Sequence, residues 1–171
     1  METAETEWRK TPEYQGGFLL DGGVHVAAAT RFLLSAQTKL THVSGFSALL
    51  QSHLPPHDTL NGALKTASGV SGTFSISYGT TFKGTEYVVA GENGTVTVSF
   101  PKVTVARDGA EPEVKDFTGH SFGVGPEVKA FAEAVLSGVK NPLQAPEEAL
   151  RDMEIIEALL QSNGNLIELK A

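Results

Sequence analysis

The middle of the chain alternates between apolar and polar residues, and this alternation limits the folds that it can adopt. Period two is clearest at residues 73–78 and 95–100. Successive side chains of a strand point to opposite faces, so such segments have one covered face and one polar face. Asn93-Gly94 lies between residues 86–90 and 95–100, and it is a strong hairpin signal because both central residues of a type I′ turn need positive φ. The middle of the chain is therefore predicted to form antiparallel strands.

Helical patterns lie on both sides of these strands. Residues 17–34 are apolar almost all round, which is typical of a buried helix. After the strands, residues 125–138 begin with Gly-Pro and end with a glycine that can form a C-cap. The apolar side chains of this second helix recur at helical spacing: Val128, Phe131, Ala132, Val135 and Leu136.

The C-terminal part of the chain predicts one more helix and a short strand. The helix opens at Pro146, and the following Glu147 and Glu148 place carboxylates at the positive end of the helix dipole. It is expected to end before Asn163-Gly164, and a strand is expected at residues 166–169. The side chains that this helix is expected to bury are Ala149, Met153, Ile156 and Leu160.

Strands in one block with helices at either end indicate an α+β fold. Helices are expected to pack on one face of an open, mostly antiparallel sheet. The chain has 171 residues without a linker, repeat or low-complexity tract, so a single domain over residues 1–171 is predicted. The Thr/Ser face of the sheet is left over, and it could be solvated or covered by a second copy of the chain.

Composition excludes several classes of protein. The chain carries 13 basic and 20 acidic residues without a Lys/Arg cluster, so no nucleic-acid partner is expected. No run of eighteen apolar residues predicts a membrane segment. Cysteine is absent, which excludes disulfides, thiolate nucleophiles and zinc-thiolate sites. The first ten residues are charged and lack an apolar signal region, so a cytoplasmic location is expected.

The histidines outside the segment 16–25 do not predict a metal site. His53 and His57 have ligand-like spacing with Asp58, but Pro55-Pro56 between them prevents a helix, so a surface turn is expected. His42 and His120 stand alone.

The segment 16–25 contains four glycines around one acid and one imidazole. Each glycine costs about 1 kcal/mol relative to alanine in a helix interior. Either a close approach of the backbone to a ligand or tight helix packing could be the reason. Asp21 and His25 are four residues apart, so on a helix both project from one face.

These two residues suggest acid/base chemistry at that segment. A histidine can take a proton from a substrate hydroxyl as hydride leaves the same carbon. A carboxylate beside it raises its basicity or fixes the ring and the substrate. The alternative is a helix-capping Asp21 and a core His25.

The same segment carries a family resemblance. Three features occur in order: Trp8-Arg9, the segment 16–25 and a buried helix ending at residues 31–34. Together they resemble the Trp-Arg...Gly-Gly-x-x-x-Asp-x-x-x-His signature of the Gfo/Idh/MocA family. In that family the signature opens the C-terminal domain. The order of the later segments, at 73–78, 91–95 and 146–152, agrees with that domain. The resemblance therefore covers nearly the whole chain.

The resemblance implies the substrate-side domain of an NAD(P)-dependent oxidoreductase that acts on a sugar-like or polyol substrate. It implies that His25 is a general acid/base or carbonyl-orienting residue and that Asp21 contacts or orients the small-molecule substrate. Trp8, Arg9 and Gly17 are implied to line the substrate pocket; the alternative for Trp8 is an aromatic residue at the edge, and the alternative for Arg9 is a solvated charge. A homo-oligomer through the open sheet face is also expected.

One departure from the family pattern concerns the cofactor. The family's dinucleotide-binding domain, with its Gly-x-Gly-x-x-Gly loop and its Glu-Lys-Pro lysine, is not found in this sequence. Gly123-Val124-Gly125 is the nearest glycine pair, but it follows no apolar strand and lacks a third glycine, so a loop before a helix is expected. No cofactor-binding residue is predicted, and NAD or NADP is not expected to bind this chain alone. The competing hypothesis is a non-catalytic remnant or a dimerisation module that keeps the fold.

Overall fold

The computed structural model describes residues 7–13, 17–34, 39–119 and 123–170. The chain forms two compact units, which we call the first unit (Met1–Thr81 with Ala145–Ala171) and the second unit (Phe82–Gln144). The elements in chain order are α1 (Glu7–Lys10), α2 (Gly17–Leu34), β1 (Leu40–Ala48), β2 (Thr59–Thr66), β3 (Ser71–Ser77), β4 (Tyr87–Gly91), β5 (Gly94–Ser99), β6 (Lys102–Ala106), β7 (Glu113–Asp116), α3 (Val124–Ser137), a 3-10 turn (Pro142–Gln144), α4 (Pro146–Ser162) and β8 (Ile167–Glu168).

The first unit contains a four-stranded antiparallel sheet in the order β3-β2-β1-β8. Phe74 and Ile76 of β3 are buried, whereas the flanking Thr73 and Ser75 are exposed. The predicted period of two is therefore confirmed in this strand. On the polar face, the Ser75 hydroxyl donates to Asn61 of β2 at 2.6 Å, so neighbouring strands are also joined through their outer side chains.

Two helices pack on the apolar face of this sheet. Gly23 of α2 lies against Ile76 and Ile156, and Leu159 of α4 lies over the cross-strand pair of Gly45 and Gly62. The α+β prediction, with helices on one face of an antiparallel sheet, is confirmed. The buried apolar residues are Leu19, Ala27, Leu40, Val43, Leu60, Leu64, Phe74, Ile76, Ile155, Ile156, Ala158 and Leu159.

The third predicted helix is confirmed as α4, but its predicted buried face is partly wrong. Ile156 is buried and Leu160 is half-buried, whereas Ala149 and Met153 are exposed. The fully buried Leu159 was not predicted. The reason is that α4 packs against both α2 and β1. Its buried stripe is therefore rotated and confined to the C-terminal half of the helix.

The second unit contains a separate antiparallel sheet in the order β4-β5-β6-β7. The predicted hairpin is present, but its turn is shifted by one residue, because Gly91 pairs with Gly94 and encloses Glu92 and Asn93. Among the described non-glycine residues, positive φ occurs at Asn163 and not at Asn93. Gly94 is required for a different reason: it has φ 137°, and a Cβ there would lie 2.0 Å from the carbonyl oxygen of Ala106.

The helix predicted at residues 125–138 is confirmed as α3, which ends at Gly138 with φ 69°. Its apolar side chains are nevertheless exposed, with Phe131 at 60% and Leu136 at 88%. Among the described residues of the second unit, no side chain is buried. The helical pattern therefore predicts the helix correctly, but it does not predict whether the apolar face of the helix is buried. No described helix has the length and apolar character needed to cross a membrane.

Candidate functional site

Trp8, Arg9 and Asp21 lie together where α1 meets α2. The Arg9 guanidinium lies over the Trp8 ring, 4.3 Å from its centroid. Its Nε and Nη2 donate to Oδ2 of Asp21 at 3.1 and 2.7 Å. The side chains of Arg9 and Asp21 are 24% and 34% exposed, so this ion pair is partly shielded from solvent. The structure thus brings together three of the predicted site residues.

His25 lies one turn after Asp21 on α2, and it is exposed. Asp21 is bound by Arg9, and no hydrogen bond joins it to His25 among the described side chains. The two residues thus share one face of α2 without a direct hydrogen bond, and their predicted roles stay predictions. The Arg9 guanidinium instead holds the Asp21 carboxylate by charge-assisted hydrogen bonds.

The alternative interpretation of these two residues is wrong. Asp21 is inside α2, four residues beyond Gly17, and therefore does not cap the helix. His25 is exposed, and therefore is not a core histidine. The His25 side chain is open to a molecule that approaches this face of α2, whereas Asp21 is only partly exposed.

The glycines of α2 are explained by packing. A Cβ at Gly22 would lie 1.8 Å from the hydroxyl oxygen of Tyr78, and a Cβ at Gly23 would lie 3.3 Å from Ile156. Gly17 has φ 48°, and a Cβ there would lie 2.2 Å from the carbonyl oxygen of Pro55. These glycines therefore give no independent argument for a ligand. Gly17 is buried, and its contact with substrate stays a prediction; Gly16 lies outside the described residues.

Asp58 stabilises the loop that supports the start of α2. The predicted surface turn is wrong for this residue, because its carboxylate is fully buried. It accepts hydrogen bonds from the amides of Leu50 and Gln51 and from the hydroxyl of Thr59. Burial raises the pKa of the Asp58 carboxyl, but these hydrogen bonds outweigh burial and hold the pKa below its ordinary value. Pro55 of the same loop contacts Gly17.

Arg31 fixes the other end of α2 to α4. It donates to the Asp152 carboxylate at 2.6 Å, to the Glu148 carbonyl at 3.0 Å and to the Glu148 carboxylate. Burial alone would lower the pKa of Arg31, but its hydrogen bonds to the two carboxylates raise it. The hydrogen bond from Arg31 lowers the pKa of Glu148. With α2 held at both ends, Asp21 and His25 have a rigid support.

The remaining predicted sites are settled only in part. His53 is exposed and His57 is half-buried in the loop before Asp58. His42 lies on β1, where its Nδ1 is 3.0 Å from the Thr41 hydroxyl, and His120 lies outside the described residues. No three His, Asp or Glu side chains converge as metal ligands in the described part of the chain.

The described residues contain no dinucleotide site of the strand–turn–helix kind. Such sites are built where a parallel strand leads into a helix N-terminus through a glycine-rich turn, whereas both sheets of this chain are antiparallel throughout the described residues. Gly123 is the N-cap residue of α3, with φ 88°.

The fold and the residues of α1 and α2 define a C-terminal oxidoreductase domain. Residues 1–165 match the family model described as "Oxidoreductase family, C-terminal alpha/beta domain". The chain therefore belongs to the Gfo/Idh/MocA oxidoreductase family and is the C-terminal domain of that family.

Known relatives agree with this assignment. Dehydrogenase FPY6 of Fusarium mangiferae is 40% identical over 164 residues, which cover 92% of this chain and 47% of that protein. An oxidoreductase from Thermotoga maritima is 32% identical with a TM-score of 0.83, over 96% of this chain and 48% of that one. Levoglucosan dehydrogenase in complex with NADH, at 13% identity, has the same fold, with a TM-score of 0.80 over 98% of this chain and 54% of that one. This chain thus spans about half the length of these relatives.

Proposed function

We propose that this chain is the substrate-side domain of an NAD(P)-dependent oxidoreductase that acts on a CH–OH group of a neutral, sugar-like or polyol substrate. The observation that carries the proposal is the Arg9–Asp21 ion pair beside the exposed His25, in a chain that belongs to an oxidoreductase family. Trp8 is part of the same group of residues through its contact with Arg9.

Each of these residues has a separate role in the proposal. His25 is the general acid/base that exchanges a proton with the substrate hydroxyl, because an imidazole nitrogen can accept a proton and donate it again. Asp21, held by Arg9, orients the substrate by accepting a hydrogen bond from a second hydroxyl. The charges of Arg9 and Asp21 cancel locally, which favours a neutral substrate over an anionic one.

We propose that the cofactor, NAD or NADP, binds to the half of the enzyme that corresponds to the part of the relatives not aligned with this chain. The proposal is supported by the antiparallel pairing of all described strands, which leaves no strand–turn–helix dinucleotide site among the described residues. Levoglucosan dehydrogenase, which shares the fold, was solved with NADH, and the match covers 54% of its chain. NADH or NADPH titrated into this chain alone should therefore show no micromolar binding, and binding at that level would contradict this division.

The test uses an assembled enzyme, in which this chain is joined to the half of Dehydrogenase FPY6 that does not align with it. We expect NAD(P)-linked turnover of polyols or sugars, and His25→Ala should lower it by at least about 100-fold, because general acid/base catalysis contributes that much. Cofactor binding should be unchanged. His53→Ala, at an exposed histidine of another loop, is the matched control. Unchanged turnover in His25→Ala would sink the proposed role.

A second candidate function is an interaction module that dimerises without catalysis. It is favoured by the open polar face of the first sheet, where Asn61 and Ser75 are exposed, and the same face would serve as the oligomer interface of the enzyme. We expect light scattering to show a dimer that Ala63→Arg, at the centre of this face, converts to a monomer. Glu157→Arg, on an exposed position of α4, should remain dimeric. A monomeric parent chain would contradict the proposed interface.

A further inference from the structure

Tyr78 directly follows β3, and its side chain lies along α2. Its ring meets Phe18 edge-on, with centroids 4.7 Å apart and planes at 85°. Its hydroxyl reaches Gly22, where a Cβ would lie 1.8 Å from the hydroxyl oxygen. The backbone is also fixed, because the Tyr78 amide donates to the Asp58 carbonyl at 2.8 Å. The Tyr78 side chain therefore lies in a defined position along one turn of α2, from Phe18 to Gly22.

Gly22 lies on the same side of α2 as the candidate site. His25 follows it by three residues, so the two positions are neighbours on the helix surface, with Cβ atoms about 5–6 Å apart. Asp21 precedes Gly22 by one residue and lies about 100° round the helix. Since the Tyr78 hydroxyl lies 1.8 Å from the position of a Gly22 Cβ, it is roughly 3–8 Å from the Cβ of His25. A small substrate bound at the His25 side chain is therefore within reach of the Tyr78 hydroxyl.

We propose that Tyr78 is a further substrate-binding residue of this site, whose phenolic hydroxyl hydrogen-bonds the substrate hydroxyl next to the carbon that reacts at His25. This inference depends on the proposed function. A phenol oxygen has one donor and two acceptor sites, so it can bind a substrate hydroxyl in addition to another polar contact. Gly22 then has a functional role as well, because any side chain at this position would take the place of the Tyr78 hydroxyl.

The test separates the hydroxyl from the ring in the assembled enzyme. Tyr78→Phe keeps the ring contact with Phe18 and removes the hydroxyl. We expect KM for the polyol or sugar to rise about 2- to 12-fold, as for one lost hydrogen bond, while kcat changes less and the unfolding midpoint stays constant. Tyr87→Phe, at a half-buried tyrosine of β4, is the matched control and should leave KM unchanged.

Deoxy analogues of the substrate identify the hydroxyl that Tyr78 contacts. For the analogue that lacks this hydroxyl, the parent enzyme and Tyr78→Phe should have the same KM, whereas the other analogues should keep the difference. If Tyr78→Phe leaves KM unchanged for every substrate while His25→Ala abolishes turnover, the Tyr78 inference is wrong and the proposed function stands.

If the assembled enzyme has no turnover, the proposed function fails. A binding measurement on this chain then tests the substrate-binding role of Tyr78 separately. The chain, labelled with ¹³C in its tyrosine rings, is titrated with glycerol, xylitol and glucose while the ring resonances are recorded. A shift at Tyr78 that Tyr87 does not show supports the binding role. The absence of such a shift up to the solubility limit of all three compounds overturns it.

Discussion

The two units of this chain use similar sequence patterns and bury very different amounts of apolar surface. In the first unit, α2 and α4 cover one face of the sheet, and side chains such as Leu60 and Leu159 are fully buried. In the second unit, strands alternate and α3 is amphipathic, yet Val128 and Phe131 of α3 are 62% and 60% exposed. Periodicity thus marks the face that can be buried, whereas burial itself needs another element to pack on that face.

The difference has an energetic consequence. Burying a large aliphatic side chain contributes about 1.5–3 kcal/mol, so the first unit accounts for the greater part of the stability that side-chain burial supplies. In the second unit, most side chains are exposed, so water screens their interactions. Exposed apolar patches of this kind mark surfaces that bind a ligand, a membrane or another protein. Matched substitutions in the two units test this comparison.

The largest effect is expected at Leu159, which lies over the Gly45–Gly62 pair. Two glycines cannot fill the space that a shortened side chain leaves, so Leu159→Ala should create a cavity. The free energy of unfolding should fall by about 2–5 kcal/mol in denaturant titrations. Leu136→Ala in α3, where the side chain is 88% exposed, should change it by less than about 0.5 kcal/mol. Equal costs at the two leucines would break the comparison.

Asp58 should give the next largest effect. Asp58→Asn replaces one carboxylate oxygen with a donor that faces the amides of Leu50 and Gln51, and should cost about 1–3 kcal/mol. Because the folded pKa of Asp58 is lowered, this stabilisation is present above its unfolded pKa of about 3.9 and is lost as pH falls through the folded value. Unfolding curves of the parent and the variant should therefore converge on acidification.

Asp116 in the second unit is the matched control for this substitution. Hydrogen bonds from the side chain of Thr118 and from its amide, the latter at 2.7 Å, lower the pKa of the Asp116 carboxyl, but Asp116 is exposed at the end of β7. Water can replace these contacts, so Asp116→Asn should leave the unfolding midpoint unchanged. A larger loss at Asp116 than at Asp58 would show that the second unit has buried contacts which its exposure does not indicate.

Local patterns were sufficient to predict the three long helices, the strands β3, β4, β5 and β8 and the α+β class. The bounds of α2 agree with the prediction of residues 17–34, since an apolar run of that length has few other solutions. The remaining strands and α1 were not predicted individually. The buried face of α4 was not predicted correctly, because it depends on how two different neighbours, α2 and β1, share one helix.

The candidate site was predictable in its members but not in their contacts. The resemblance identified Arg9, Asp21 and His25, whereas the ion pair of Arg9 with Asp21 joins residues on two helices, and their spacing in sequence does not define how the helices meet. Tyr78, which we propose as a further substrate-binding residue, was not singled out because it is distant from α2 in sequence. The available signal was Gly22, a helix-interior glycine that admits an aromatic neighbour.

Arg31 provides a smaller and more specific test of the first unit. Arg31→Met should cost about 1–2 kcal/mol, less than a fully buried pair, because the Arg31 and Glu148 side chains are 21% and 33% exposed. Glu148 has a lowered folded pKa, so its contribution is present above the ordinary value of about 4.3 and disappears as pH falls through the folded value. The difference in unfolding free energy between the parent and Arg31→Met, measured by denaturant titrations, should therefore decrease as the pH falls from about 4.3 through the folded pKa of Glu148.

The smallest effect is expected from the corresponding ion pair in the second unit. Lys129 and Glu133 are 3.8 Å apart on α3, and their side chains are 78% and 67% exposed. Exposed pairs of this spacing contribute about 0.2–0.5 kcal/mol, and the order with lysine first is the less favourable one. Lys129→Met should therefore change the unfolding free energy by no more than this, and moderate salt should remove the change. If Lys129→Met costs as much as Arg31→Met, the two units are equally packed, and the contrast between them does not describe the protein in solution.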